Sequence, residues 1–125
     1  PAEGPRVVDP ADLPLAIRSG EELLDRALAA HPEADALVFS SDLLAAGALL
    51  AANRRRIAVP GRIAVTGFGD YDIARELNPA LTTIAVPSRR IGTEAARLLL
   101  QAMRGEKLAD RAIDVGTELI VRESS

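Results

Sequence analysis

The chain has 125 residues, 48% of them hydrophobic, which is enough for one packed core and too few for two. A net charge of −3 excludes the basic footprint of a surface that grips nucleic acid, so any DNA contact belongs to another segment. With no cysteine and one histidine, His31, disulfides, thiolate metal sites, thiol nucleophiles and a His-rich metal cluster are excluded as well.

Short apolar runs alternate with longer helical ones, the order expected of an α/β protein with a largely parallel sheet. Residues 6–8 read as a short strand closed by Asp9 and Pro10. Ser19 starts a helix, with Glu22 completing a capping box three positions on. Leu24, Ala27 and Leu28 form its buried stripe, and His31-Pro32 stops it. Residues 36–39 are continuously apolar, as in a strand buried on both faces. Asp42 caps the next helix, 43–55, which is apolar almost all round as far as Ala52. Such a helix buries one face on its own sheet and another on a partner, or else lies deep within its own domain. Arg54, Arg55 and Arg56 complement the dipole at its end as a solvated cap.

Residues 63–66 form the third strand and lead into Gly67-Phe68-Gly69-Asp70. A helical turn over 71–77 ends before Asn78-Pro79, and 81–86 is a fourth strand. Ser88 caps a helix over 89–104 that Gly105 ends. Its stripe of Ile91, Ala95, Leu98, Leu99 and Ala102 needs an apolar surface to cover it. Residues 112–115 and 118–122 are two last short strands. The longest apolar run, 43–52, is about half of the roughly 18 residues a membrane span requires. No signal peptide is visible at Pro1–Pro5, and without an initiating Met the chain is expected to be part of a longer protein. The lack of cysteine fits a cytoplasmic location.

In open parallel sheets, ligands bind beyond the carboxyl ends of the strands. Three segments qualify: residues 9–18, Ser40-Ser41-Asp42, and residues 67–72. Their hydroxyls, carboxylates, guanidinium and two aromatic rings suit a small polyhydroxylated ligand. Simpler roles stand beside this one. Ser41 and Asp42 can be helix caps, Gly67 and Gly69 turn glycines, Phe68 core and Tyr71 a half-buried surface ring. Gly67-Phe68-Gly69 lacks the third glycine of the dinucleotide fingerprint, and no Ser/His/Asp arrangement gathers at His31. No enzyme, metal site or cofactor is expected.

Five segments in order resemble the lactose/galactose repressor (LacI/GalR) family: residues 36–49, 59–70, 79–84, 91–100 and 118–124. Together they reach through roughly the last 90 residues, so the match rests on the order of the motifs as much as on any one of them. The resemblance implies a type I periplasmic-binding-protein-like fold, a truncated α/β lobe of three layers around a parallel sheet. Residues 1–87 are then the C-terminal lobe, 88–112 a crossover helix and strand of the N-terminal lobe, and 113–125 the return strand. It further implies a ligand-responsive repressor that works as a homodimer and reaches operator DNA through a helix-turn-helix headpiece absent from this chain. A transporter's periplasmic sugar-binding protein shares the fold and is the alternative.

By the same resemblance, Leu15, Ser41, Phe68, Gly69 and Asp70 face the ligand, and Ala46, Leu49, Leu50 and Leu77 lie at the dimer interface. Gly69 stands where relatives carry an aspartate that accepts sugar hydroxyls. Its place in Gly67-Phe68-Gly69-Asp70 resembles the gluconate-repressor branch and implies a sugar or a sugar acid such as gluconate.

Overall fold

The computed structural model describes residues 6–9, 12–107 and 112–125. The leader reading at Pro1–Pro5, Pro10 as the end of the first strand, and residues 108–111 of the crossover segment lie outside the described residues. Among those described, the order is α1 (Ile17–Ala30), β1 (Ala36–Val38), α2 (Asp42–Arg54), β2 (Ala64–Thr66), α3 (Asp72–Glu76), β3 (Thr83–Ala85), α4 (Ser88–Met103) and β4 (Glu118–Ile120). Residues 6–9 and 112–117 carry no strand, so two of the expected strands are absent.

The first helix begins two residues earlier than its sequence suggests. Ala16 is the extended residue before it, and no side chain caps it. Ser19 sits inside the helix, buried, and its Oγ is the one buried side-chain polar atom without a partner among the described residues. Tertiary packing overrides the capping box. A Cβ on Gly20 would lie 2.0 Å from the Leu44 carbonyl oxygen, and one on Gly47 would lie 1.8 Å from that of Ile17. The backbones of α1 and α2 therefore touch, and that contact outweighs a cap contributing about 1 kcal/mol.

Ion pairs flank this contact. Arg54 reaches Glu21 at 2.6 Å, while Arg55 pairs with both Glu21 and Asp25. Two of the three consecutive arginines thus tie α2 to α1 instead of forming a solvated cap. Hydrogen bonding from Arg55 holds the Asp25 carboxyl below its usual range. A depressed carboxyl stabilises the fold above its unfolded pKa, near 4, and that contribution is lost as pH falls through the folded value. Asp25→Asn is accordingly expected to lower the urea midpoint slightly at pH 6, with the gap from wild type closing below pH ~4. A gap independent of pH would contradict the pairing.

β1 and β2 pair in parallel, Leu37 opposite Val65. Parallel bridges Thr66–Thr82 and Gly69–Ala85 join β2 to the β3 segment, and β4 closes antiparallel on β3. The last turn of chain stitches the same seam. Ser124 Oγ donates to the Val65 carbonyl at 2.6 Å and accepts from the Thr82 amide at 2.9 Å, while its own carbonyl accepts from Val65 N. One side of the strands packs into a core of Leu23, Leu24, Phe39, Leu44, Val65 and Leu81, with the alanines of α2. The other side is open, with Val38 81% exposed. The expectation that residues 36–39 are buried on both faces fails because helices cover only the face carrying Leu37 and Phe39.

The second helix takes the intradomain alternative over most of its surface. Ala46 and Leu49 are buried within this chain, leaving Leu50 exposed and Leu77 half-buried. Its cap is Ser41, whose Oγ accepts from Leu43 N at 3.2 Å, rather than Asp42. α4 also starts without a side-chain cap: Pro87 precedes it, and Ser88 Oγ donates to the Val86 carbonyl instead.

α4 contains no buried residue; Ile91, Leu99, Leu100 and Met103 are all exposed. An amphipathic helix with a bare apolar stripe favours association. The isolated 125-residue chain is expected to self-associate in light scattering, and Leu99→Glu with Met103→Glu to shift it towards monomer. A clean wild-type monomer at high concentration would contradict this.

Candidate functional site

The carboxyl end of β2 runs into a tightly held turn. Gly67 N and Gly69 N donate to the Thr82 and Ile84 carbonyls at 2.9 and 2.8 Å, and Phe68 O accepts from Asp42 N at 3.0 Å. Gly69 and Asp70 follow with φ of +128° and +52°, a left-handed turn that glycine accommodates at its first position. Gly67 has a different reason to be glycine. A Cβ there would lie 2.3 Å from an Asp42 carboxylate oxygen, so the need is space.

Asp42 organises this end of the sheet. Fully buried at the first position of α2, it accepts from the Tyr71 amide at 2.8 Å and from the Thr83 hydroxyl. Its charge faces the positive end of the helix dipole. Asp70 is bound just as firmly. Arg122 reaches it at 2.6 Å and donates to the Leu81 carbonyl at 2.8 Å, with Arg75 at 3.8 Å on the other oxygen. The acidic side chains at positions 42 and 70 are therefore engaged within the protein and not held out to solvent.

The five ligand-facing residues divide accordingly. Phe68 is 41% exposed at the strand end, with Gly69 beside it. Ser41 adjoins them through the α2 N-terminus, but it is buried; its Oγ lone pair caps the helix, which leaves the O–H free to donate. Asp70 points to Arg122. Leu15 is 61% exposed just before α1. Its segment is fixed by a two-pronged Asp12–Arg26 pair at 2.8 Å that holds the Asp12 carboxyl below its usual range.

A concavity of about 550 Å³ lies beside β1, lined by Val7, Val8, Leu23, Val38 and Leu44 among others; it meets the expected segments only at Ser40. The sequence singled out neither Arg122 nor Thr83, because each acts through a partner about 40 to 50 positions away. Tyr71, read from sequence as a surface ring, is 47% exposed and packs against Gly69, where a Cβ would lie 2.9 Å from its ring.

A parallel sheet whose strand-end turns join a helix N-terminus is the arrangement of an open α/β lobe. The periplasmic binding protein-like domain matches residues 2–125, and the chain belongs to that family, in the form found in LacI-family regulators. The HTH-type transcriptional regulator GntR of Pseudomonas aeruginosa is 42% identical over 112 residues, 90% of this chain and 33% of the relative. The crystal structure of transcription regulator GntR from Chromobacterium violaceum superposes with a TM-score of 0.82 at 46% identity, over 90% of this chain and 41% of that one. A complex of transcriptional regulator CelR with cellobiose gives 0.81 at 32% identity, over 88% and 34%. The chain thus spans about a third of the length of the curated relatives it matches. Among the described residues, no helix is long and apolar enough to cross a membrane.

Proposed function

We propose that this chain is part of the effector-sensing and dimerisation domain of a LacI-type transcription repressor. Its turns at the carboxyl ends of β1 and β2 supply half of a pocket for a sugar or a sugar acid such as gluconate. Residues 1–87 form the C-terminal lobe, 88–112 cross to the N-terminal lobe, and 113–125 return. The bare stripe of α4 supports that division, since it is the surface a second lobe would cover. Operator DNA is reached through a headpiece outside these residues, in the cytoplasm, and the chain has no catalytic role. Pairing of two copies uses the surface that Leu50 and Leu77 leave open, Ala46 and Leu49 supporting it from beneath. Relatives that are transcription regulators support this reading over that of a transporter's binding protein.

The observation that carries the ligand class is the state of the carboxylates. Sugar-binding sites commonly need acceptors for hydroxyl groups, but here Asp42 and Asp70 are committed to Thr83, Tyr71 N and Arg122. The exposed rings and backbone at the turn do not repel an anion, and its one exposed carboxylate, Asp72, lies beyond Tyr71 at the start of α3. In a thermal-shift series on the full-length protein, D-gluconate is expected to raise Tm more than D-glucose or D-galactose. Binding of the neutral hexoses without gluconate would contradict the ligand class.

A further inference from the structure

The sequence holds two phenylalanines, one tyrosine and no tryptophan. Phe39 is buried in the core, so the chain's two exposed rings, Phe68 and Tyr71, both belong to the single turn after β2. An exposed ring gives up burial that a core position would provide, and two within one turn offer apolar surface to a ligand. Between them is Gly69, whose missing side chain leaves the Tyr71 ring against the backbone. A Cβ at 69 would come within 2.9 to 3.2 Å of three atoms of that ring, so the ring occupies the space a side chain at 69 would need.

From this we infer that Tyr71 is a specificity-determining residue of the effector site: its ring covers the ligand and its phenol hydroxyl donates to a ligand carboxylate. The inference rests on the sugar-acid reading above. Tyr71 is the one hydrogen-bond donor side chain of this turn; Asp70 is held by Arg122, and the exposed Asp72 carboxylate can only accept. Its backbone is fixed by the 2.8 Å hydrogen bond that its amide donates to the Asp42 carboxylate. The ring is thereby positioned before ligand arrives, and little ordering is needed on binding. A phenol donates readily to an anion, whereas a carboxylate in its place would repel one.

Calorimetric titration of the full-length protein with D-gluconate and D-glucose tests this. Tyr71→Phe keeps the ring and removes the donor; it is expected to weaken gluconate binding about tenfold, the scale of one hydrogen bond to a charged group, and to leave glucose binding little changed. Tyr71→Ala also removes the cover and should weaken both ligands. Both variants should melt at the wild-type temperature without ligand, since the side chain is half exposed. Wild-type gluconate affinity in both variants overturns the role of Tyr71 while leaving the sugar-acid reading intact. A wild-type protein that binds neither ligand overturns that reading and this inference with it.

Discussion

Gly20→Ala is expected to destabilise the fold by about 3 kcal/mol or more, the upper range for overpacking a close contact. The added methyl would lie 2.0 Å from the Leu44 carbonyl oxygen and 2.8 Å from Ala48 N, both backbone atoms of α2. A side chain can rotate away from such a clash, but helix backbone cannot, so α1 and α2 must move apart. Separation would also loosen the Leu23, Leu24 and Leu44 contacts of the core. Urea unfolding measures the loss. Gly61→Ala is the control, because its Cβ would meet only the Ala58 methyl at an ordinary 3.5 Å. Equal midpoints for the two variants would show that the helices are not in backbone contact.

Asp42→Ala is the second large effect. Removing the carboxylate leaves the buried Thr83 hydroxyl and the part-buried Tyr71 amide without their acceptor. An unsatisfied buried group costs about 1–3 kcal/mol and a part-buried one less, so a combined loss of about 2–3 kcal/mol is expected. Asp42→Asn retains one acceptor oxygen and should lose about half as much. The turn that carries Phe68 and Tyr71 would loosen with it. Faster hydrogen exchange at the Tyr71 amide in Asp42→Ala, alongside the lower urea midpoint, checks both parts. Unchanged exchange would mean that Asp42 does not hold the turn.

The helices were legible in the sequence wherever burial follows a local period. The stripe of Leu24, Ala27 and Leu28 does pack inward, and Gly105, with φ of +71°, does end α4. Start positions were less legible. The backbone contact at Gly20 and Gly47 displaced the capping box at Ser19, and Ser41 took the cap expected of Asp42. Such contacts depend on two distant glycines meeting, which no local pattern encodes. The seam between β2 and β3 was hidden for the same reason, since Ser124 fills it from the far end of the chain.

The site divides along a similar line. Resemblance placed Phe68 and Gly69 in the turn after β2, and the fold sets Ser41 beside them at the start of α2. It did not distinguish a carboxylate open to ligand from one already paired, as Asp70 is with Arg122. Nor did it show that the Tyr71 ring stands over Gly69. Charge state and side-chain direction arise from three-dimensional pairing, and composition is silent on both.

In a crystal structure of the full-length protein grown with D-gluconate, the sugar acid is expected against the rings of Phe68 and Tyr71, beyond the carboxyl ends of β1 and β2. Gluconate seated instead in the apolar concavity beside Val7 and Val38, with both rings left in solvent, would contradict that placement.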